Sequence, residues 1–156
     1  MKKLTMVLAI GLVSILLVSF ASAQTATQTF NLAVSSIYKI ATSGNPGNMT
    51  INDAVPGSEP TPVSDATTTY SITHNDADGA KITASLAPAL AAGYTLTVAL
   101  AGNPAVNIST ATQDAVASVA RGASTGNTIA YNFSATAAAG ALASTGETVT
   151  FTVVGL

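Results

Sequence analysis

The sequence contains no cysteine. No disulfide can staple the fold, so packing and hydrogen-bonded ladders must hold it without covalent help. Charge is scarce as well. Only 8% of the residues are Asp, Glu, Lys or Arg, against roughly a quarter in ordinary soluble domains. Cations are the scarcest charge. Beyond Lys2 and Lys3 the chain carries only Lys39, Lys81 and Arg121. The formal net charge is −2 for the whole chain and −4 once Lys2 and Lys3 are set aside. Three scattered cations make no basic patch, which removes the electrostatic footing for nucleic-acid binding.

Histidine is also nearly absent, with His74 the only one. A Ser–His–Asp triad would have to use it as the base. It is followed by Asn75, Asp76, Ala77 and Asp78, which reads as a polar turn with a solvated imidazole. No Gly-x-Ser-x-Gly elbow and no phosphate-cradling glycine loop occurs. No repeat of fixed length appears, which argues against a solenoid. The acids Asp53, Glu59, Asp65, Asp76, Asp78, Asp114 and Glu147 all fall in or beside expected turns, where they solvate the chain. None sits mid-strand on an apolar face, where burial would raise its pKa for acid–base work. No enzymatic activity and no cofactor is expected.

Long apolar runs are limited to one. Lys2 and Lys3 precede Leu4–Phe20, which only Thr5, Ser14 and Ser19 interrupt, and Ala21-Ser22-Ala23 follows. A positive start, an apolar stretch and small residues at the two positions a signal peptidase reads make a secretory signal over residues 1–23. Cleavage after Ala23 leaves Gln24 as the new N-terminus. The expected product, residues 24–156, is one domain outside the cytoplasm, at the cell surface or in the medium. No cysteine offers a lipid anchor, and no second apolar run offers a membrane anchor after cleavage.

What the rest of the chain has in abundance is alternation with a period of two. Phe30, Leu32 and Val34 share one strand face, and Tyr38 and Ile40 continue the phase. Met49 and Ile51 mark a short second strand. Ala54–Val63, with three prolines and Gly57, is a loop. Ala66, Thr68, Tyr70 and Ile72 alternate next, then Ile82, Ala84 and Leu86. Tyr94, Leu96, Val98 and Leu100 form the cleanest strand, and Val106 and Ile108 suggest a short one. Ile129, Tyr131, Phe133 and Ala135 alternate, as do Val149, Phe151 and Val153. Gln113–Arg121 fits a short helix or a strand. Ala137–Ala143, broken by Gly140, is a loop. The pattern predicts an all-β chain: one β-sandwich of about seven to nine strands, Ig-like or pilin-like, with Thr and Ser facing water and the aromatic residues in the core.

Four short motifs remain. His74–Gly79 (HNDADG) matches a calcium loop at Asp78-Gly79 but lacks carboxylates at the first and twelfth positions. An Asp-Gly hairpin turn is the better account, and Asp76 and Asp78 are left as a weak calcium candidate. Asn48, Asn107 and Asn132 begin glycosylation triplets, the last two inside expected strands.

The segment after the cleavage point, Gln24–Val34, is uncharged, contains no proline or glycine, and ends in the alternating Phe30-Asn31-Leu32-Ala33-Val34. It is suited either to the first strand of its own domain or to a donor strand for the sheet of a neighbouring copy. The cleavable signal, the Thr/Ala-rich strands and the closing Glu147–Val154 segment together resemble secreted bacterial pilin-like and biofilm-fibre β-sandwich subunits. The chain departs from chaperone–usher pilins in having no cysteine pair and in ending Val154-Gly155-Leu156 without a penultimate tyrosine. The resemblance implies a structural subunit of a filament or fimbria. Its partners would be further copies of the chain, with Phe30, Leu32 and Val34 at the subunit interface. The alternative is a monomeric adhesin or carbohydrate-binding module that takes a glycan or surface ligand on the loops Ser43–Asn48, Ala54–Val63 and Ala137–Ser144.

Overall fold

The computed structural model describes residues 24–156. The expected export signal, 1–23, lies outside the described residues. The chain divides after Val34. Residues 24–34 form no strand.

Residues 35–156 are all-β, with two antiparallel sheets. The strands are β1 (Tyr38–Thr42), β2 (Val63–His74), β3 (Ala80–Ala87), β4 (Tyr94–Leu100), β5 (Val106–Asn107), β6 (Gln113–Val119), β7 (Gly122–Ala135) and β8 (Thr148–Gly155). One sheet has five strands in the order β1-β2-β7-β4-β5. The other has three, in the order β6-β3-β8. The only helical element among the described residues is a single exposed 3-10 turn, Ala137–Ala139. No described helix is long and apolar enough to cross a membrane.

One core joins the two sheets. Val98, Leu100, Ile129 and Tyr131 reach it from the five-stranded sheet, and Ile82, Leu86, Val116 and Val153 from the three-stranded one. Each large aliphatic side chain taken fully out of water contributes about 1.5–3 kcal/mol, and Ile82, Leu86, Val98, Leu100 and Ile129 are all fully enclosed.

Register slips in the β2–β7 and β3–β6 ladders shift the side-chain phase. Between Asp65 and Thr68 the β2–β7 register slips. Val63 and Asp65 are half-buried before the slip, and Thr68, Tyr70, Ile72 and His74 are buried after it. Ala66, expected on the inner face, is therefore exposed. An extra residue in one strand moves every later side chain relative to the partner. Asp65 sits at this bulge, inside a strand and not beside a turn. Its carboxylate accepts the Thr67 N–H at 3.0 Å and the Thr67 hydroxyl at 2.9 Å. A second slip places Ala115 opposite no β3 residue, so Ala115 and Val116 are buried in succession. Gln113–Val119 is thus a strand, and Asp114 lies within it, paired with Lys81 at 3.0 Å.

Other expectations are corrected. Met49 and Ile51 form no strand and lie half-buried in a loop. Phe30, Leu32 and Val34 are not part of a strand either, since β1 begins at Tyr38. Asp78-Gly79 is not a hairpin turn: it links β2 of one sheet to β3 of the other. A hairpin needs flanking strands that pair with each other, whereas β2 pairs with β1 and β7.

Candidate functional site

His74 is not a solvated turn residue. It ends β2 and is 1% exposed. Its Nε2 lies 2.8 Å from the Ala120 carbonyl and 3.1 Å from the Val119 carbonyl. Carbonyls only accept, so Nε2 carries a proton and donates. His74 thereby ties the five-stranded sheet to the link between β6 and β7. Its Nδ1 is enclosed with no partner.

Asp76 and Asp78 lie in the adjoining turn. One Asp76 oxygen accepts the Tyr38 hydroxyl, and the other accepts the Asp78 N–H at 3.0 Å. The Tyr38 hydroxyl, then the Asp78 N–H, hold the Asp76 carboxyl below its ordinary value. Both Asp76 oxygens thus have partners, one in β1 and one in the turn. Among the described residues, no group of three or more His, Cys, Asp or Glu is arranged to hold a metal ion. Of the glycosylation triplets, Asn107 and Asn132 are in β5 and β7, and the Asn132 amide donates to the Ser64 hydroxyl at 2.9 Å. Asn48 lies in an exposed loop.

The feature that stands out is a loss of burial along the inner rows of both sheets. In β4, Val98 and Leu100 are enclosed, but Tyr94 and Leu96 are half-buried. In β7, Tyr131 is enclosed and Phe133 half-buried. In β8, Val153 is buried, but Val149 and Phe151 are half-buried. These half-buried residues line one groove of about 1120 Å³, which is flanked by the loop 44–54 and the segment 140–149. The sequence pattern assigned Tyr94, Phe133 and Phe151 to a closed core. It gave no sign that β8 is an edge strand with no described strand paired to its outer side.

Local contacts fix the groove's rim. The Tyr94 ring stacks on Phe133, with centroids 6.2 Å apart, and its hydroxyl reaches the Ala139 and Gly140 carbonyls at 3.3 and 3.2 Å. Glu59 accepts the Ala137 N–H. Gly93 has φ of +87°, and a Cβ there would sit 2.7 Å from the Ala139 Cβ. Only glycine permits both that backbone and that approach. On the opposite rim, Asp65 accepts the Gly47 N–H at 3.3 Å.

The groove's only charged lining residues are Asp53 and Glu147. The Glu147 Oε2 is shielded from water and has no hydrogen-bond partner. β8 pairs with β3 along one edge. No described strand pairs with its other edge, and no backbone hydrogen bond links that edge to the 44–54 loop.

In the separate segment 24–34, Phe30 is 74% exposed, Leu32 91% and Val34 82%. Large apolar side chains in three alternate positions are thus left in water, without a sheet. The chain matches no protein-family model, no curated protein and no solved structure.

Proposed function

We propose that this chain is a structural subunit of an extracellular or cell-surface filament, a pilin-like β-sandwich. It assembles by adding its N-terminal segment, Gln24–Val34, as a strand to a neighbouring copy. The observation that carries this reading is the state of that segment. Phe30, Leu32 and Val34 alternate in strand phase, are at least 74% exposed, and belong to no strand. Exposing such side chains costs roughly 25 cal/mol per Å² of apolar surface. Strand addition recovers that energy and supplies backbone hydrogen bonds as well. The scarcity of charge supports the same reading, because weak mutual repulsion lets copies approach. Export through the secretory route, by a signal at residues 1–23, is part of the proposal.

Electron microscopy of the chain starting at Gln24, beside one starting at Ser35, tests it. The reading expects filaments from the longer form alone. Folded monomers from both would remove it.

One observation favours a second reading, a carbohydrate-binding module or adhesin. The 44–54 and 140–149 segments line the groove beside the half-buried Tyr94 and Phe133 rings, and aromatic faces with nearby amides suit a sugar. Glycan binding by monomers, with no filaments, would favour it.

A further inference from the structure

We infer that the acceptor for Gln24–Val34 is the free edge of β8, with the groove beside it receiving Phe30, Leu32 and Val34 of a second copy. This rests on the strand-addition reading and names the surface it leaves open.

Four edge strands are available, namely β1, β5, β6 and β8. β5 is two residues long and offers almost no ladder. β1 and β6 present edges with half-buried Tyr38, Ile40 and Val119, but these three do not line the groove and the apolar rows next to them are closed. Tyr70 and Ile72 are 5% and 4% exposed beside β1, and Ala115 and Val116 are 4% and 6% exposed within β6. At β8 a free backbone edge adjoins the large groove, which half-buried apolar side chains of both sheets line: Val149 and Phe151 on one, Leu96 and Phe133 on the other. A strand added beside β8 would turn alternate side chains onto those four residues. That meets two needs at once, pairing for the edge and cover for the groove.

Length, charge and polarity fit the occupant. An extended strand rises about 3.3 Å per residue, so Gln24–Val34 reaches further than the eight residues of β8. The donor has no charge, and the groove has no cation for a charged partner to seek. The shielded, partnerless Glu147 Oε2 lies at the end where β8 begins. It is placed to accept an N–H from an incoming backbone or from the amide of the donor's Gln28, which shares the inward phase.

The absence of native cysteine allows a direct test. Thr148, Thr150 and Thr152 point to the outer face of β8. In the donor, Thr29, Asn31 and Ala33 occupy the outer phase when Phe30, Leu32 and Val34 point inward. Full chains carrying single cysteines, Asn31→Cys (with Thr29→Cys and Ala33→Cys to scan register) and Thr150→Cys, are purified after export, mixed and oxidised. A disulfide requires Cβ atoms about 3.5–4.5 Å apart, so a linked dimer reports adjacent strands in different copies. Ser118→Cys in β6 and Lys39→Cys in β1 report the competing edges. The inference expects dimers through Thr150→Cys, with loss of that product when a free peptide of residues 24–34 is added, and none through Ser118→Cys or Lys39→Cys. Filaments with cross-links through β6 or β1 would overturn the β8 assignment while leaving strand addition intact. A chain carrying both Asn31→Cys and Thr150→Cys that closes only within itself would show self-insertion and overturn the assignment to a second copy. No filaments and no cross-links would overturn both readings.

Discussion

The Tyr38 ring lies parallel to the His74 imidazole, with centroids 6.5 Å apart and planes 4° apart. The two residues are register partners across β1 and β2. Each also holds something beyond its own sheet. His74 donates to the carbonyls of Val119 and Ala120, and the Tyr38 hydroxyl donates to Asp76 in the crossing turn. The pair therefore secures β1, the turn into β3 and the link from β6 to β7.

His74 carries the first prediction. His74→Phe keeps an aromatic ring but leaves two carbonyls without their donor, at a cost of about 1–3 kcal/mol. His74→Ala adds a cavity and costs about 2–4 kcal/mol. Urea unfolding monitored by circular dichroism should order the variants in that sequence. Equal stability in all three would mean that the imidazole does not join the sheets.

Gly155 carries the second. A Cβ at Gly155 would sit 2.6 Å from the Tyr38 hydroxyl oxygen and 3.3 Å from Cζ. Gly155→Ala forces the ring away from Asp76 and should cost about 1–3 kcal/mol, as overpacking does. Tyr38→Phe removes the clashing oxygen. The double variant should therefore lose less than the sum of the two single changes, a coupling that a double-mutant cycle in urea measures. Additive losses would show that the two residues do not meet.

The strands with uninterrupted alternation were legible from the sequence alone. β4 and β8 lie where their patterns put them, and Ile82, Ala84 and Leu86 of β3 are all buried. What failed depended on partners distant in sequence. His74 looked solvated because Asn75, Asp76 and Asp78 follow it, yet its environment is set by Val119 and Ala120. Ala66 lost its phase to a bulge held by Asp65 and Thr67, which periodicity does not reveal. The Asp78-Gly79 turn gives no sign that its flanking strands belong to different sheets. The groove was hidden for the same reason, since alternation in Val149, Phe151 and Val153 states which face is apolar and not whether anything covers it.

Stability should fall at both ends of the pH scale, by different groups. The Thr67 N–H, then the Thr67 hydroxyl, hold the Asp65 carboxyl below its ordinary value, and the Tyr38 hydroxyl does the same for Asp76. Their charged forms are favoured by the fold. That contribution is present above the unfolded carboxylate value of about 4 and is lost as pH falls through the lower folded values. Tyr131 behaves oppositely. Burial, then the charge of Asp65, push its phenol up to about 12, and burial raises Tyr70 as well. Their neutral forms are favoured, so stability is complete below the unfolded tyrosine value of about 10 and declines as pH rises through the folded values. Urea midpoints across pH should show both limbs. Asp65→Asn should flatten the acid limb, and Tyr131→Phe the alkaline one.

The measurement that bears most directly on the central claim places single charges along Gln24–Val34 and counts filaments by electron microscopy. In strand addition the two faces of the segment are not equivalent. Leu32→Asp would bury a carboxylate in an apolar groove, whereas Thr29→Asp would leave one in water. The account predicts that Leu32→Asp abolishes filaments and that Thr29→Asp leaves them, with circular dichroism unchanged in both. Filaments unaffected by Leu32→Asp, or lost equally with either charge, would contradict it.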